Sequence, residues 1–131
     1  MREVTLRTER RTQVLDITEQ VREVAAGAGG AAVLVYVPHT TAGVTINEHA
    51  DPAVARDLER ALERIVGEGW GWEHIEDGEE NAPSHVRAVL AGPQVLVPVR
   101  DGTLALGTWQ GIFFCEFDGP RTRTVYVTPL A

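Results

Sequence analysis

The chain has no lysine. All twelve basic residues are arginine, set against nineteen acidic residues for a formal charge of −7. This excludes a Schiff-base lysine, a lysine nucleophile and a Walker-type phosphate lysine. The acidic balance repels phosphate backbones, so no nucleic-acid partner is expected. There is one cysteine, Cys115, which excludes an internal disulfide and a cysteine-rich zinc module. Aromatic residues make up only 6% of the chain. No apolar run is long enough for a membrane span. The greasiest stretch, Val24 to Val37, is about fourteen residues and holds three glycines, against the ~20 apolar residues a spanning helix needs. Met1-Arg2-Glu3-Val4-Thr5 is polar and lacks a signal-peptide core. A soluble protein of a reducing, cytoplasmic compartment is expected, with no membrane partner.

What is present is ordinary globular material: 131 residues, 44% apolar and 24% charged. That length suits one domain with its own core, spanning 1–131. Val4 and Leu6, then Val14, Leu15 and Ile17, predict two strands joined as a hairpin. Asp16 followed by Glu19 reads as a capping box for a helix from Thr18 to Ala26. Ala32 to Val37 is a continuous β-branched run, the pattern of a buried central strand, and Gly43 to Ile46 predicts another. Asp51-Pro52 starts a second helix, whose apolar residues recur from Val54 to Val66. The stretch from Glu68 to Asn81 reads as a long polar loop carrying Trp70 and Trp72 as lid or interface residues. A short helix over Ser84–Leu90 follows, then strands at 95–99, 104–106, 112–117 and 124–127, with turns at Asp101-Gly102 and Asp118-Gly119. The order argues an α+β fold with a largely antiparallel sheet and about three helices.

Four histidines are candidates for chemistry. His39 lies just past the buried strand, His74 in the long loop and His85 at the start of the third helix, all junctions from which side chains reach a cleft. Neutral imidazoles favour zinc over magnesium or calcium. The spacings match no short zinc signature, so surface or capping histidines remain the competing reading. Asn47-Glu48 ends an apolar strand, where a carboxylate could ligate a metal or act as a general base; Asp51 reads as a helix cap. In Gly107-Thr108-Trp109-Gln110-Gly111, Trp109 offers a flat face and Gln110 a donor and an acceptor; the alternative is a loop with a packing tryptophan. Thr40 and Thr41 suit an anion or a turn. Cys115 alternates into an apolar strand as inert core.

Taken together, His39-Thr40-Thr41-Ala42-Gly43-Val44-Thr45-Ile46-Asn47-Glu48 with Ala50-Asp51-Pro52, then His74 with Asn81 through Pro83-Ser84-His85, then Leu106-Gly107-Thr108-Trp109-Gln110-Gly111 with Glu116, resemble the three ordered signatures of the YjbQ (UPF0047) family. The resemblance covers roughly residues 33–117. It implies a compact α+β domain, a homotrimer with sites near subunit boundaries, and a divalent metal held by histidines, here His39, His74 and His85. It also implies a transferase activity, secondary thiamine-phosphate synthesis, which joins a pyrimidine methyl diphosphate to a thiazole phosphate and releases pyrophosphate. His49 stands where many members have another residue, and no ligand role is carried onto it. Glu76-Asp77-Gly78-Glu79-Glu80 departs from the family's shorter glycine-asparagine form.

Diphosphate departure calls for magnesium on oxygen ligands and basic side chains. Three histidines with no lysine suit zinc with an open position instead. Thiamine-phosphate synthesis therefore stays a plausible expectation, with a side activity as one form of it. The expected enzyme binds a small-molecule substrate, with His39, His74 and His85 on a zinc-like ion. Glu48 and Asn47 serve catalysis with Gln110, Trp109 takes an aromatic ring, and Thr40 and Thr41 take an oxyanion. The alternatives are a zinc-dependent hydrolase, a trimeric metal- or metabolite-binding protein without turnover, and a purely structural subunit.

Overall fold

The structure, a computed structural model, describes residues 1–75 and 80–131; the acidic run Glu76, Asp77, Gly78 and Glu79 lies outside the described residues. The elements run β1 (Arg2–Arg7), β2 (Gln13–Asp16), α1 (Thr18–Ala25), β3 (Ala32–Tyr36), β4 (Ala42–Glu48), α2 (Pro52–Ile65), α3 (Ala82–Ala91), β5 (Gln94–Arg100), β6 (Thr103–Leu104), β7 (Gln110–Glu116) and β8 (Thr122–Leu130). Every strand pairing is antiparallel. The strands form two sheets, β1-β8-β3-β5-β6 and β2-β7-β4. This is the α+β, antiparallel, three-helix architecture the sequence predicts.

The expected hairpin between the first two strands does not form. β1 pairs with β8 and β2 with β7, each at the edge of a different sheet. Two polar arginines between two apolar runs read as a turn, but pairing partners are chosen by tertiary register, not by proximity in the chain.

The two sheets face each other. Val33, Val35, Val97, Val125 and Val127 of the larger sheet meet Val44, Ile112 and Phe114 of the smaller, with Ile17 and Val21 filling the edge. The other face of the small sheet is covered by α2 and α3, where Val14, Phe113, Cys115 and Phe117 pack with Ala88, Leu58 and Leu62. The small sheet is therefore buried on both faces. This explains why Ile112 to Cys115 reads as unbroken apolar sequence.

β3 is central in the large sheet, as expected, but buried on one side only. Val33 and Val35 point inward, while Tyr36 is 38% exposed. The outer face carries Tyr36, Leu96 and Leu130, all exposed, and the helices pack elsewhere: α1 on β6, β7 and β8, α2 on β2, α3 on β4.

Local signals explain the helix ends. Asp51 accepts the Ala53 amide at 2.9 Å and Pro52 opens α2. The predicted capping box differs: α1 begins after Ile17, and Asp16 Oδ1 instead receives the amide and hydroxyl of Thr18 at 2.9 and 2.5 Å. The third helix starts two residues earlier than predicted, at Ala82. Asp101 and Gly102 turn between β5 and β6 with φ of 52° and 76°, a conformation glycine and aspartate tolerate. No helix among the described residues is long and apolar enough to cross a membrane.

Candidate functional site

His39 follows β3 and precedes β4. Its Nε2 sits against the backbone of Thr124 in β8, 3.0 Å from the amide N and 3.1 Å from the carbonyl O. Burial, and then the nearby charge of Arg123, hold its pKa below the ordinary histidine range, so the ring is neutral at pH 7. Nδ1 is the nitrogen left free of Thr124.

The loop is anchored by an ion pair that sequence reading does not single out. Glu116, wholly buried at the end of β7, receives Arg123 Nε at 2.8 Å and an Arg123 Nη2 contact, with Arg123 only 3% exposed. Thr8 Oγ1 donates to Glu116 Oε1 at 2.7 Å, and the Asp118 amide donates to Glu116 Oε2 at 3.1 Å. Burial alone would raise the Glu116 pKa, but Arg123, Thr8 and Asp118 outweigh it and hold the carboxylate below its usual range. Arg123 Nη2 also donates to Thr41 Oγ1 at 2.8 Å. Thr41 is buried, and its hydroxyl accepts from Arg123 within this network. Thr40 remains exposed beside His39.

A signal for this pair did exist. Arg123 shares inward parity with Val125 and Val127, so an arginine on the core side of a strand calls for a buried acid.

His85, in the first turn of α3, joins two adjoining hollows. One, about 310 Å³, is lined by His39, Thr40, Ala42, His85 and Val89. The other, about 360 Å³, is lined by Trp72, His74, Ala82 and His85. His74 and His85 meet edge to face with ring centroids 5.0 Å apart. Trp72 stacks on Trp70 at 5.4 Å and ties its Nε1 to Gly67 O. Among the described residues, no group of three or more His, Cys, Asp or Glu side chains converges closely enough to hold a metal. Two of the predicted ligands, His74 and His85, touch, and the third, His39, lines the adjoining hollow with His85 and not with His74.

The remaining expected site residues lie elsewhere. β4 runs from Ala42, beside His39, to Glu48, and six steps of about 3.3 Å separate those ends by ~20 Å. Asn47 and Glu48 are at the far end, opposite Gly111 and Gln110 in β7. There Asn47 Oδ1 receives the Glu48 amide, Trp109 is 63% exposed, and Gln110 Oε1 receives the Gly107 amide at 2.8 Å, closing the turn into β7. Gln110 is therefore engaged in local structure. Within one chain, the Asn47, Glu48, Trp109 and Gln110 group does not meet the histidines. Cys115 is buried, and burial pushes its thiol up to about 12, in keeping with inert core.

Comparison with known proteins follows the same lines. The family described as UPF0047 protein YjbQ-like matches residues 2–131. The chain is 45% identical over 126 residues to the UPF0047 protein YugU of Bacillus subtilis, covering 93% of this chain and 92% of that protein. It is 46% identical over 128 residues to a UPF0047 protein of Archaeoglobus fulgidus, covering 98% and 99%. Among solved structures, a YjbQ/UPF0047 protein of Clostridium acetobutylicum superposes with TM-score 0.91 at 41% identity, covering 98% of each chain. A Sulfolobus solfataricus YbjQ-like protein, described as of unknown function, superposes with TM-score 0.89 at 33% identity, covering 96% of this chain and 92% of that one. By sequence over its whole length and by fold, the chain belongs to the YjbQ-like UPF0047 family.

Proposed function

We propose that the protein is a metal-assisted small-molecule enzyme working as a homotrimer, its site assembled from two ends of the fold contributed by neighbouring copies. The observation that carries this reading is the edge-to-face contact of His74 and His85 at 5.0 Å, with His39 on the wall of the adjoining hollow. Two imidazoles in contact suit two positions of a zinc-like divalent ion, and His39 would reach it through Nδ1 with Nε2–H donating to Thr124 O. Such an ion, when bound, supplies Lewis acidity at a substrate oxygen. The chain's own residues do the rest. Thr40 offers a hydroxyl at the rim, Trp72 walls the hollow, and the Glu116–Arg123 pair holds the His39 loop in place.

The acid–base and aromatic groups, Glu48, Asn47 and Trp109, lie at the far end of β4, ~20 Å along the strand from Ala42 in the His39 hollow. A cyclic trimer joins unlike patches head to tail, so it can bring the far end of one copy to the histidine end of the next. The uncovered apolar face of the large sheet, with Tyr36, Leu96 and Leu130, supplies an association surface. Thiamine-phosphate synthesis fits as a secondary activity, because the histidine hollows are lined by no arginine that could hold a diphosphate. Should the copies stay apart, the same separation favours metal or metabolite binding without turnover.

The test is elemental analysis with size-exclusion mass, followed by mixing of His85→Ala and Glu48→Ala subunits. The expected result is stoichiometric metal, a trimer, and activity recovered in mixed trimers when neither variant is active alone. Metal-free protein, a monomer, or no recovery on mixing would count against the reading.

A further inference from the structure

At the far end of β4, away from the histidine hollows, the small sheet is left open where α2 begins. His49 follows β4 and its amide donates to Trp109 O at 3.0 Å. Its ring lies over Gly111 of β7, where a Cβ would come within 2.5 Å of the imidazole. The absent side chain at Gly111 lets His49 cross the strand and place Nδ1 3.0 Å from Asp16 Oδ2 at the end of β2. Asp16 is itself held below its usual pKa: burial pushes it up, but the Thr18 hydroxyl and amide and His49 outweigh burial. With Nδ1–H donated to Asp16, Nε2 is the ring nitrogen left over for a ligand.

This pair edges a hollow of about 390 Å³ with an apolar floor of Val14, Pro52, Ala55 and Phe113. Its acids are already satisfied. Glu59 takes both Nη atoms of Arg10 at 3.0 Å and the Val14 amide at 2.7 Å, and Asp51 caps α2. A cation therefore finds no open carboxylate beyond Asp16, which His49 and Thr18 occupy. The groups left over are His49 Nε2 and Arg56, which lines the hollow from α2 and forms no ion pair among the described residues. An apolar concavity with a few convergent polar groups is the usual form of a small-molecule site. A planar guanidinium pairs best with a carboxylate.

We propose that this hollow is a second small-molecule site, taking a small hydroxylated aromatic carboxylate: the ring lies on Phe113, the carboxylate meets Arg56, and the hydroxyl donates to His49 Nε2. Within one chain the site is separate from the histidine hollows, and it takes its ligand without their metal.

The experiment titrates the full chain with 4-hydroxybenzoate, benzoate and inorganic phosphate, following His49, Ala55 and Phe113 by NMR and the heat by calorimetry. Saturable shifts at those residues are expected, tightest for 4-hydroxybenzoate. Arg56→Ala should weaken both carboxylates about tenfold or more. His49→Asn should erase the preference for the hydroxylated acid while leaving benzoate binding. Ala55→Trp, which fills the hollow from a half-buried position of α2, should abolish binding while the far-ultraviolet circular dichroism stays native. The proposal is overturned if 4-hydroxybenzoate gives no saturable shift there, if the shifts fall on His74 and His85 instead, if phosphate binds as well as the aromatic acids, or if Arg56→Ala changes nothing.

Discussion

Arg123 and Glu116 form the side-chain pair on which the His39 end most depends. Both are buried, and their bonds tie β7 and β8 to Thr8 and Thr41. Removing one partner strands a buried charge, so Arg123→Ala should lower stability by about 3–5 kcal/mol in urea unfolding. The pair Arg123→Met with Glu116→Leu should cost less than either single change. Titration adds a second test. Glu116 has a depressed folded pKa, so its stabilising contribution is complete above the ordinary glutamate value and lost as pH falls through the folded one. His39 is also depressed, so the unfolded chain takes up its proton first. Stability should therefore decline as pH drops below about 6.5, the ordinary histidine value. Urea midpoints at pH 7 and pH 5.5 should differ in the native chain and differ less in His39→Gln. At this scale much was readable in advance. Arg123 sits on the inward parity of β8, and Glu59 falls among Ala55, Leu58 and Leu62 on the buried stripe of α2. What spacing could not tell was the partner each charge would find, nor that the Thr41 hydroxyl would accept from Arg123.

The elements carry local signals of unequal reach. Asp51-Pro52 fixed the start of α2 because capping is a contact between residues two apart in the chain. Asp51→Ala should cost about 1 kcal/mol, read as a shift in the urea midpoint at unchanged slope. The central strand of the small sheet was equally legible, since burial on both faces leaves no polar alternation to confuse. The first two strands were recognised as strands but paired wrongly, because hydrophobic pattern gives a strand its faces and not its neighbour. The start of α1 was placed within a residue, yet its Asp16 turned out to serve Thr18 and His49 together. A sequence motif read as a single cap was two interactions.

For the whole molecule, the outer face of the large sheet is the feature that one chain leaves unresolved by packing. Tyr36 and Tyr126 meet edge to face at 6.4 Å, and Leu96 is 59% exposed beside β3. If neighbouring copies cover this face, Leu96→Asp should convert a trimer to smaller species in size-exclusion light scattering while leaving the far-ultraviolet circular dichroism intact. Unchanged mass would place the association surface elsewhere. The sequence alone determined the α+β class, the strand and helix count, and the family, because these follow from periodicity, turn chemistry and ordered motifs that act over short spans. Only the tertiary structure decided which histidines touch and that Asn47, Glu48 and Trp109 stand at the opposite end of β4 from the His39 hollow. It also decided that His49 reaches Asp16 across a glycine. Each of these depends on sheet order and on which face a strand presents, and contacts between residues far apart in the chain leave no mark in local spacing.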